Sequence, residues 1–237
     1  MDKKLLWTVA DETGISLSAE QLDMFELYSF ELIEWNQKSN LTAIEDQGQI
    51  IIKHFYDSLL GMKVSAWSGS GSLLDLGTGA GFPGVPLLIV NPKIQLTLVD
   101  SLQKRIAFLE HLVRSLQLPT VKMIHSRAEE LGQNRLYREK YDIVVSRAVA
   151  KLPVLLEYCL PMTKIGGIFM AYKGPEGSAE LRASEKAMEI LGGEMLESKN
   201  FDLPCNGGRR CIIVIEKNKS TTKEYPRRAG MPTKKPL

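Results

Sequence analysis

Cysteine and histidine are scarce in this chain, three of each in 237 residues, and their placement narrows the options further. Cys159, Cys205 and Cys211 form neither a disulfide framework nor a metal-binding spacing, and His54, His111 and His125 are too dispersed to suggest a zinc site. No metal is expected, and all three cysteines, His111 and His125 are read as structural. Long apolar runs are missing too: no window approaches the roughly 18 uninterrupted apolar residues of a membrane span. The start, Met1-Asp2-Lys3-Lys4-Leu5-Leu6, carries an acid and lacks the apolar core of a signal peptide. A cytoplasmic location without a membrane partner is expected.

What is present is a globular composition, 44% hydrophobic and 24% charged, long enough for one substantial core. The net charge of +2 conceals a split. Residues 217–237 hold seven basic residues and one acid, Glu224, so they carry +6 and the rest of the chain −4. Such a cationic end on a mildly acidic body seeks phosphate, or only aids solubility.

Residues 1–62 read as helical, with a capping box at Ser18-Ala19-Glu20-Gln21, a polar break over 36–42, a second helix over about 46–60 and Gly61 as its stop. From residue 72 strands alternate with helices. Strands are predicted at 72–76, 95–99, 121–124, 142–146, 165–171, 194–200 and 210–216, and helices at 84–90, 102–117, 151–162 and 178–191. This pattern predicts an α/β fold with a largely parallel sheet covered on both faces. The turn-rich stretch Leu203-Pro204-Cys205-Asn206-Gly207-Gly208 joins the last two strands as a hairpin, so the final strand runs antiparallel. The expected division is a helical extension (1–71), a core (72–217) and a basic tail (218–237).

The most informative run is Leu73-Leu74-Asp75-Leu76-Gly77-Thr78-Gly79-Ala80-Gly81-Phe82-Pro83-Gly84, followed by Leu96-Thr97-Leu98-Val99-Asp100. An apolar strand breaks into a glycine-dense turn, and the next strand ends in an acid placed to accept ribose hydroxyls. Gly77 and Gly79 let backbone approach a nucleoside cofactor. Asp75 decides which one. A carboxylate there opposes the pyrophosphate of a dinucleotide but suits the cationic amino acid end of S-adenosylmethionine, unless it merely caps the turn. Pro83 and Pro86 require the following helix to start near 83–85. The other strand ends offer Ser101-Leu102, Ser126-Arg127-Ala128-Glu129, Ser146-Arg147-Ala148 and Lys173-Gly174 on the same sheet edge.

Together with Asn40-Leu41-Thr42, His54-x-x-Asp57-Ser58, Val99-Asp100-Ser101-x-x-Lys104-Arg105 and Tyr225-Pro226-Arg227-Arg228-x-Gly230, these loops resemble those of the bacterial 16S ribosomal RNA small-subunit methyltransferase G family, formerly called glucose-inhibited division protein B. The resemblance runs from about residue 20 to the C-terminus. It implies a class I S-adenosylmethionine-dependent methyltransferase, Rossmann-like, with a mostly parallel seven-stranded sheet, an antiparallel last strand and an N-terminal helical extension. It implies methyl transfer from S-adenosyl-L-methionine, leaving S-adenosyl-L-homocysteine, to N7 of guanine 527 in the 530 loop of 16S rRNA, within the 30S subunit or an assembly intermediate. A monomer is expected. The implied cofactor contacts are Gly77, Phe82, Asp100, Ser101, Leu102, Ala128, Glu129 and Arg147; Phe82 stands where a branched aliphatic residue is frequent, and Lys53 precedes His54 where arginine is frequent.

Arg147 and His54 are the candidate catalytic residues. Arg147 either bridges cofactor and RNA or holds Asp75 or Asp100 in an ion pair, and His54 either orients the site or packs on the helical extension. Lys173 and Arg209 meet phosphate or are ordinary surface charges. No Asp/Asn-Pro-Pro-aromatic run and no Pro-Cys pair follows the fourth strand, which weakens adenine amine and pyrimidine C5 methylation. The basic tail is read as an RNA arm whose removal spares cofactor binding, against the alternative that it folds back across the body. The competing functions are a methyltransferase of small molecules or proteins and a nonenzymatic RNA-binding protein.

Overall fold

The computed structural model describes residues 1–118 and 121–237. Asp2 caps α1 (Lys3–Glu12) by accepting from the Leu5 N–H, and the expected capping box of Ser18 and Gln21 opens α2 (Ala19–Ser39). Asn40, with φ 46°, ends α2 in a left-handed turn. The second helical stretch runs through α3 (Gln47–Ile50), a π-helical turn over Ile51–Tyr56 and α4 (Asp57–Leu59). Gly61 does not stop it, because a 3-10 turn continues over Leu60–Lys63. The missing side chain instead makes room for Tyr172: a Cβ at residue 61 would overlap the Tyr172 hydroxyl, which donates to the Ser58 carbonyl at 2.8 Å.

The remainder alternates strand and helix, with α7 and α11 added to the predicted elements: β1 (Gly71–Leu76), α5 (Gly84–Val90), β2 (Ile94–Asp100), α6 (Gln103–Ser115), β3 (Lys122–His125), α7 (Ala128–Gln133), β4 (Tyr141–Arg147), α8 (Leu152–Cys159), β5 (Thr163–Lys173), α9 (Gly177–Arg182), α10 (Glu185–Leu191), β6 (Gly193–Leu203), β7 (Gly208–Lys217) and a final turn, α11 (Met231–Lys234). The helix predicted over 178–191 divides into α9 and α10. The Ser184 hydroxyl donates to the Glu180 carbonyl at the break and competes there with the helical ladder.

The sheet order is β3-β2-β1-β4-β5-β7-β6, parallel from β3 to β5, with β7 antiparallel to both neighbours. Alternation splits each central strand between two cores. Leu73, Ile143, Val145 and Met170 face the N-terminal helices with α5 and α6, whereas Leu74, Val144 and Phe169 face the α8 and α10 side. The strand order reverses at β1, with β2 and β3 to one side and β4 and β5 to the other, and the Ser146 hydroxyl ties the ends of β1 and β4 together at the Leu76 carbonyl. Crevices of α/β sheets form at such a switch point.

The basic end folds back on the body. Arg227 donates through its backbone N–H, Nε and Nη2 to the fully buried Glu157 carboxylate, at 2.6–3.2 Å. Arg138 donates to the carbonyls of Thr221, Thr222 and Tyr225, and Pro226 packs on Gly132.

Gly61→Ala is expected to lower unfolding stability by about 2 kcal/mol, the usual scale of overpacking. Urea denaturation measures it, and adding Tyr172→Phe, which removes the overlapping oxygen, should restore part of the loss. An unchanged midpoint in Gly61→Ala would show that the contact has slack.

Candidate functional site

The loop between β1 and α5 is shaped from beneath. Asp75 has no solvent exposure, and its Oδ2 accepts from the Thr78 hydroxyl and the Gly84 N–H, each at 2.8 Å. α5 starts at Gly84, as Pro83 and Pro86 require, and a Cβ at Gly84 would press on Asp75. Oδ1 is buried and has no hydrogen-bond partner among the described residues. Burial, partly offset by the two hydrogen bonds and Arg147, raises the Asp75 carboxyl to about 7. Across the loop, Asp100 accepts from the N–H groups of Gly79 (2.9 Å) and Leu102 (3.0 Å) and pairs with Arg105 at 3.1 Å.

Two cavities flank the switch point. The first, of about 230 Å³, is lined by Gly77, Asp100, Ser101, Ala128 and Glu129, five of the ten candidate cofactor residues. Val99 and Leu76 make its apolar wall, and Tyr158, Gly230 and Thr233 complete it. Gly79 and Leu102 act on it through their hydrogen bonds to Asp100, and the Leu102 side chain lies at the surface.

The second cavity, of about 420 Å³, is lined by Lys53, His54, Asp57, Arg147, Tyr172 and Arg210, among others. Arg147 pairs with neither Asp75 nor Asp100. Its guanidinium donates to Asp57 Oδ2 and the Lys53 carbonyl, both at 2.8 Å, and reaches His54 Nδ1 at 3.1 Å. Arg210 meets the other Asp57 oxygen at 3.1 Å. Since a guanidinium only donates, His54 Nδ1 accepts and its Nε2–H donates to Thr42 Oγ1 at 2.9 Å. Burial, reinforced by Arg147, pushes the His54 pKa down to about 3, so the ring is neutral near pH 7. Phe82 is buried in a stack with His54 (ring centroids 4.5 Å) and Tyr28 (5.2 Å), with the Arg147 guanidinium 5.0 Å from its centre.

Between the cavities lies the β4–α8 loop. Ala148 adopts φ 58°, an uncommon conformation for a residue with a Cβ, and lines the second cavity, while Val149 lines the first. Val149 sits on Gly77 so closely that any side chain at 77 would overlap it. Lys173 braces this loop through the Ala150 carbonyl and Glu180. Arg209 is elsewhere, paired with Asp202 in solvent. Arg210 and Tyr158 join the site with no motif to mark them, whereas Asp57 stands in the His54-x-x-Asp57-Ser58 run with no role read for it from sequence.

The family model described as rRNA small subunit methyltransferase G matches residues 21–207. Two curated proteins named ribosomal RNA small subunit methyltransferase G are similar almost end to end. The one from Alkaliphilus oremlandii is 49% identical over 99% of this chain and 98% of its own length; that from Oceanobacillus iheyensis is 48% identical over 95% of each. Among solved structures, the ribosomal protein L11 methylase of Lactobacillus delbrueckii subsp. bulgaricus is 15% identical, with TM-score 0.54 over 69% of this chain and 77% of its own. M. jannaschii TYW2 in complex with AdoMet is 12% identical, with TM-score 0.55 over 73% and 77%. The fold is that of the class I S-adenosylmethionine-dependent methyltransferases.

With its pKa lowered, His54 should show no protonation step between about pH 5 and pH 8, the window in which an unperturbed histidine titrates. Two-dimensional NMR of the imidazole nitrogens reads this directly, together with the Nε2–H tautomer. An inflection near pH 6 would contradict the buried, Arg147-facing environment.

Proposed function

This chain belongs to the rRNA small subunit methyltransferase G family, and from that premise we propose that it transfers a methyl group from S-adenosylmethionine to N7 of guanine 527 in the 530 loop of 16S rRNA. One observation carries the assignment of roles: an acidic cavity and a basic cavity flank the β4–α8 loop at the sheet's switch point, with Val149 on the first and Ala148 on the second.

The acidic cavity suits the cofactor. Asp100, Glu129 and Ser101 supply acceptors for hydroxyl and amino groups, and the leading backbone N–H groups of α7 have no side-chain cap. Arg127 is the single base among the described residues lining it, and the unpartnered Asp75 Oδ1 lies buried beneath the loop. A cation fits these groups better than a pyrophosphate. S-adenosylmethionine supplies the methyl group on a positively charged sulfur. Gly77, Gly79, Asp100, Ser101, Leu102, Ala128 and Glu129 hold it, with Asp75 behind the loop and Phe82 fixing the loop's far end.

The basic cavity suits RNA. Lys53, Arg147, Lys173 and Arg210 outnumber Asp57, Glu176 and Glu180 on its wall, and a guanidinium reads phosphate and base edges alike. Guanine N7 carries a lone pair and no proton, so transfer requires no base, and the neutral His54 acts as an acceptor that orients Arg147. Catalysis is then orientation and proximity. Arg147, locked by Asp57 and the Lys53 carbonyl, positions the target from the sheet side.

Tritiated methyl transfer to naked 16S rRNA, 30S subunits and total protein, followed by nucleoside mapping, tests this. The expected product is 7-methylguanosine at one position of 16S rRNA. Label in protein or in a different nucleoside would overturn it. A second expectation concerns pH. Because the Asp75 carboxyl ionises near 7, it is protonated at about pH 5.5 and largely an anion at about pH 7.5, so affinity for the cationic cofactor should rise several-fold across that interval. Calorimetric titration of wild type and Asp75→Asn checks it. The variant should lose the dependence, and a wild-type affinity that falls with pH would refute the role.

A further inference from the structure

The C-terminal segment enters the cofactor cavity. Gly230 and Thr233 lie on its wall beside Glu129 and Tyr158, although they are far from them in sequence. A chain of hydrogen bonds makes the contact specific. The Gly230 N–H donates to Glu129 Oε1 at 3.0 Å, the Tyr158 hydroxyl donates to the same oxygen at 3.3 Å, and that hydroxyl lies 3.2 Å from Thr233 Oγ1. Glu129 is buried, so its orientation is set by these two donors. Gly230 has φ 82°, a conformation natural to glycine, and this lets the chain turn its N–H toward Glu129.

The segment reaches this wall by a fixed path. Upstream, Arg227 is anchored on the buried Glu157, and Gln133 holds the carbonyls of Lys223 and Pro226. Only a short span separates the Arg227 anchor from Gly230, so the turn has little freedom to leave the cavity while the anchor holds.

We propose that the Gly230–Thr233 turn is a wall of the cofactor site, so that docking of the C-terminal segment and binding of S-adenosylmethionine or its product reinforce one another. The inference rests on the assignment of this cavity to the cofactor. It reverses the expectation that the basic tail serves RNA alone and is dispensable for cofactor binding. By linkage, whatever tightens the segment tightens the ligand by the same factor, and the reverse.

The test uses S-adenosylhomocysteine as the probe and three full-length or near full-length proteins: wild type, a chain ending at Arg228, and Thr233→Trp. The shortened chain keeps the Arg227–Glu157 anchor, and Thr233 is exposed enough for the substitution to leave the fold intact. Calorimetry should show an affinity lowered about tenfold in both variants, a common size for coupled sites. Hydrogen exchange of the wild type should show slower exchange over residues 229–235 when the probe is added. Equal affinity in Thr233→Trp, or exchange in that segment indifferent to the probe, overturns the proposal. A wild-type chain that does not bind S-adenosylhomocysteine overturns the cofactor assignment itself, and the wall with it.

Discussion

A buried carboxylate with no paired base among the described residues sets the shape of the site. Asp75 closes the turn after β1 by accepting from Thr78 and Gly84, and it thereby fixes where α5 begins. The remaining order follows from that closure. With the turn formed, the Gly79 N–H points to Asp100, and the ends of β1 and β2 become one surface. Burial raises the carboxyl to about 7 because no base neutralises it directly, a cost that hydrophobic packing of α5 against the sheet offsets. The glycines are needed for different reasons. Gly84 leaves room for Asp75, and Gly77 leaves room for Val149.

The N-terminal helices are a structural part of this site. Phe82 carries the loop into a stack between Tyr28 and His54, with Phe55 tilted against it, and the Tyr28 hydroxyl donates to the Ala80 carbonyl at 2.5 Å. The aromatic at position 82 is thus explained by its neighbours: a flat ring has flat partners on the helical side. The π-helical turn over Ile51–Tyr56 presents both the Lys53 carbonyl and the His54 ring to Arg147. A wider turn leaves backbone carbonyls less fully claimed by the helix, and such turns recur at functional sites.

The architecture was largely legible because short apolar runs bounded by glycine-rich turns are local signals. All seven strands lie where alternation puts them, and the hairpin residues at 203–208 do reverse the last strand. Partners distant in sequence were less legible. Nothing in the residues around Arg147 names Asp57, which lies 90 positions earlier. Arg209 and Arg210 are adjacent, and only the register of β7 decides that Arg210 reaches the cavity while Arg209 faces solvent, because side chains alternate across a strand. The tail showed its charge but not its attachment. Glu157 sits in the apolar pattern of α8 like an intruder, and only the fold shows that Arg227 comes to meet it.

Asp57 is 2% exposed and is shared by Arg147 on β4 and Arg210 on β7, so one carboxylate on the N-terminal helices fastens two strands of the sheet. Peeling those helices away would strip both guanidinium groups of their shared anion and expose the aromatic stack at once. A buried ion pair broken on one side leaves an uncompensated charge that costs about 3–5 kcal/mol. Partial opening is therefore penalised at its first step, which couples the stability of the helical extension to that of the sheet.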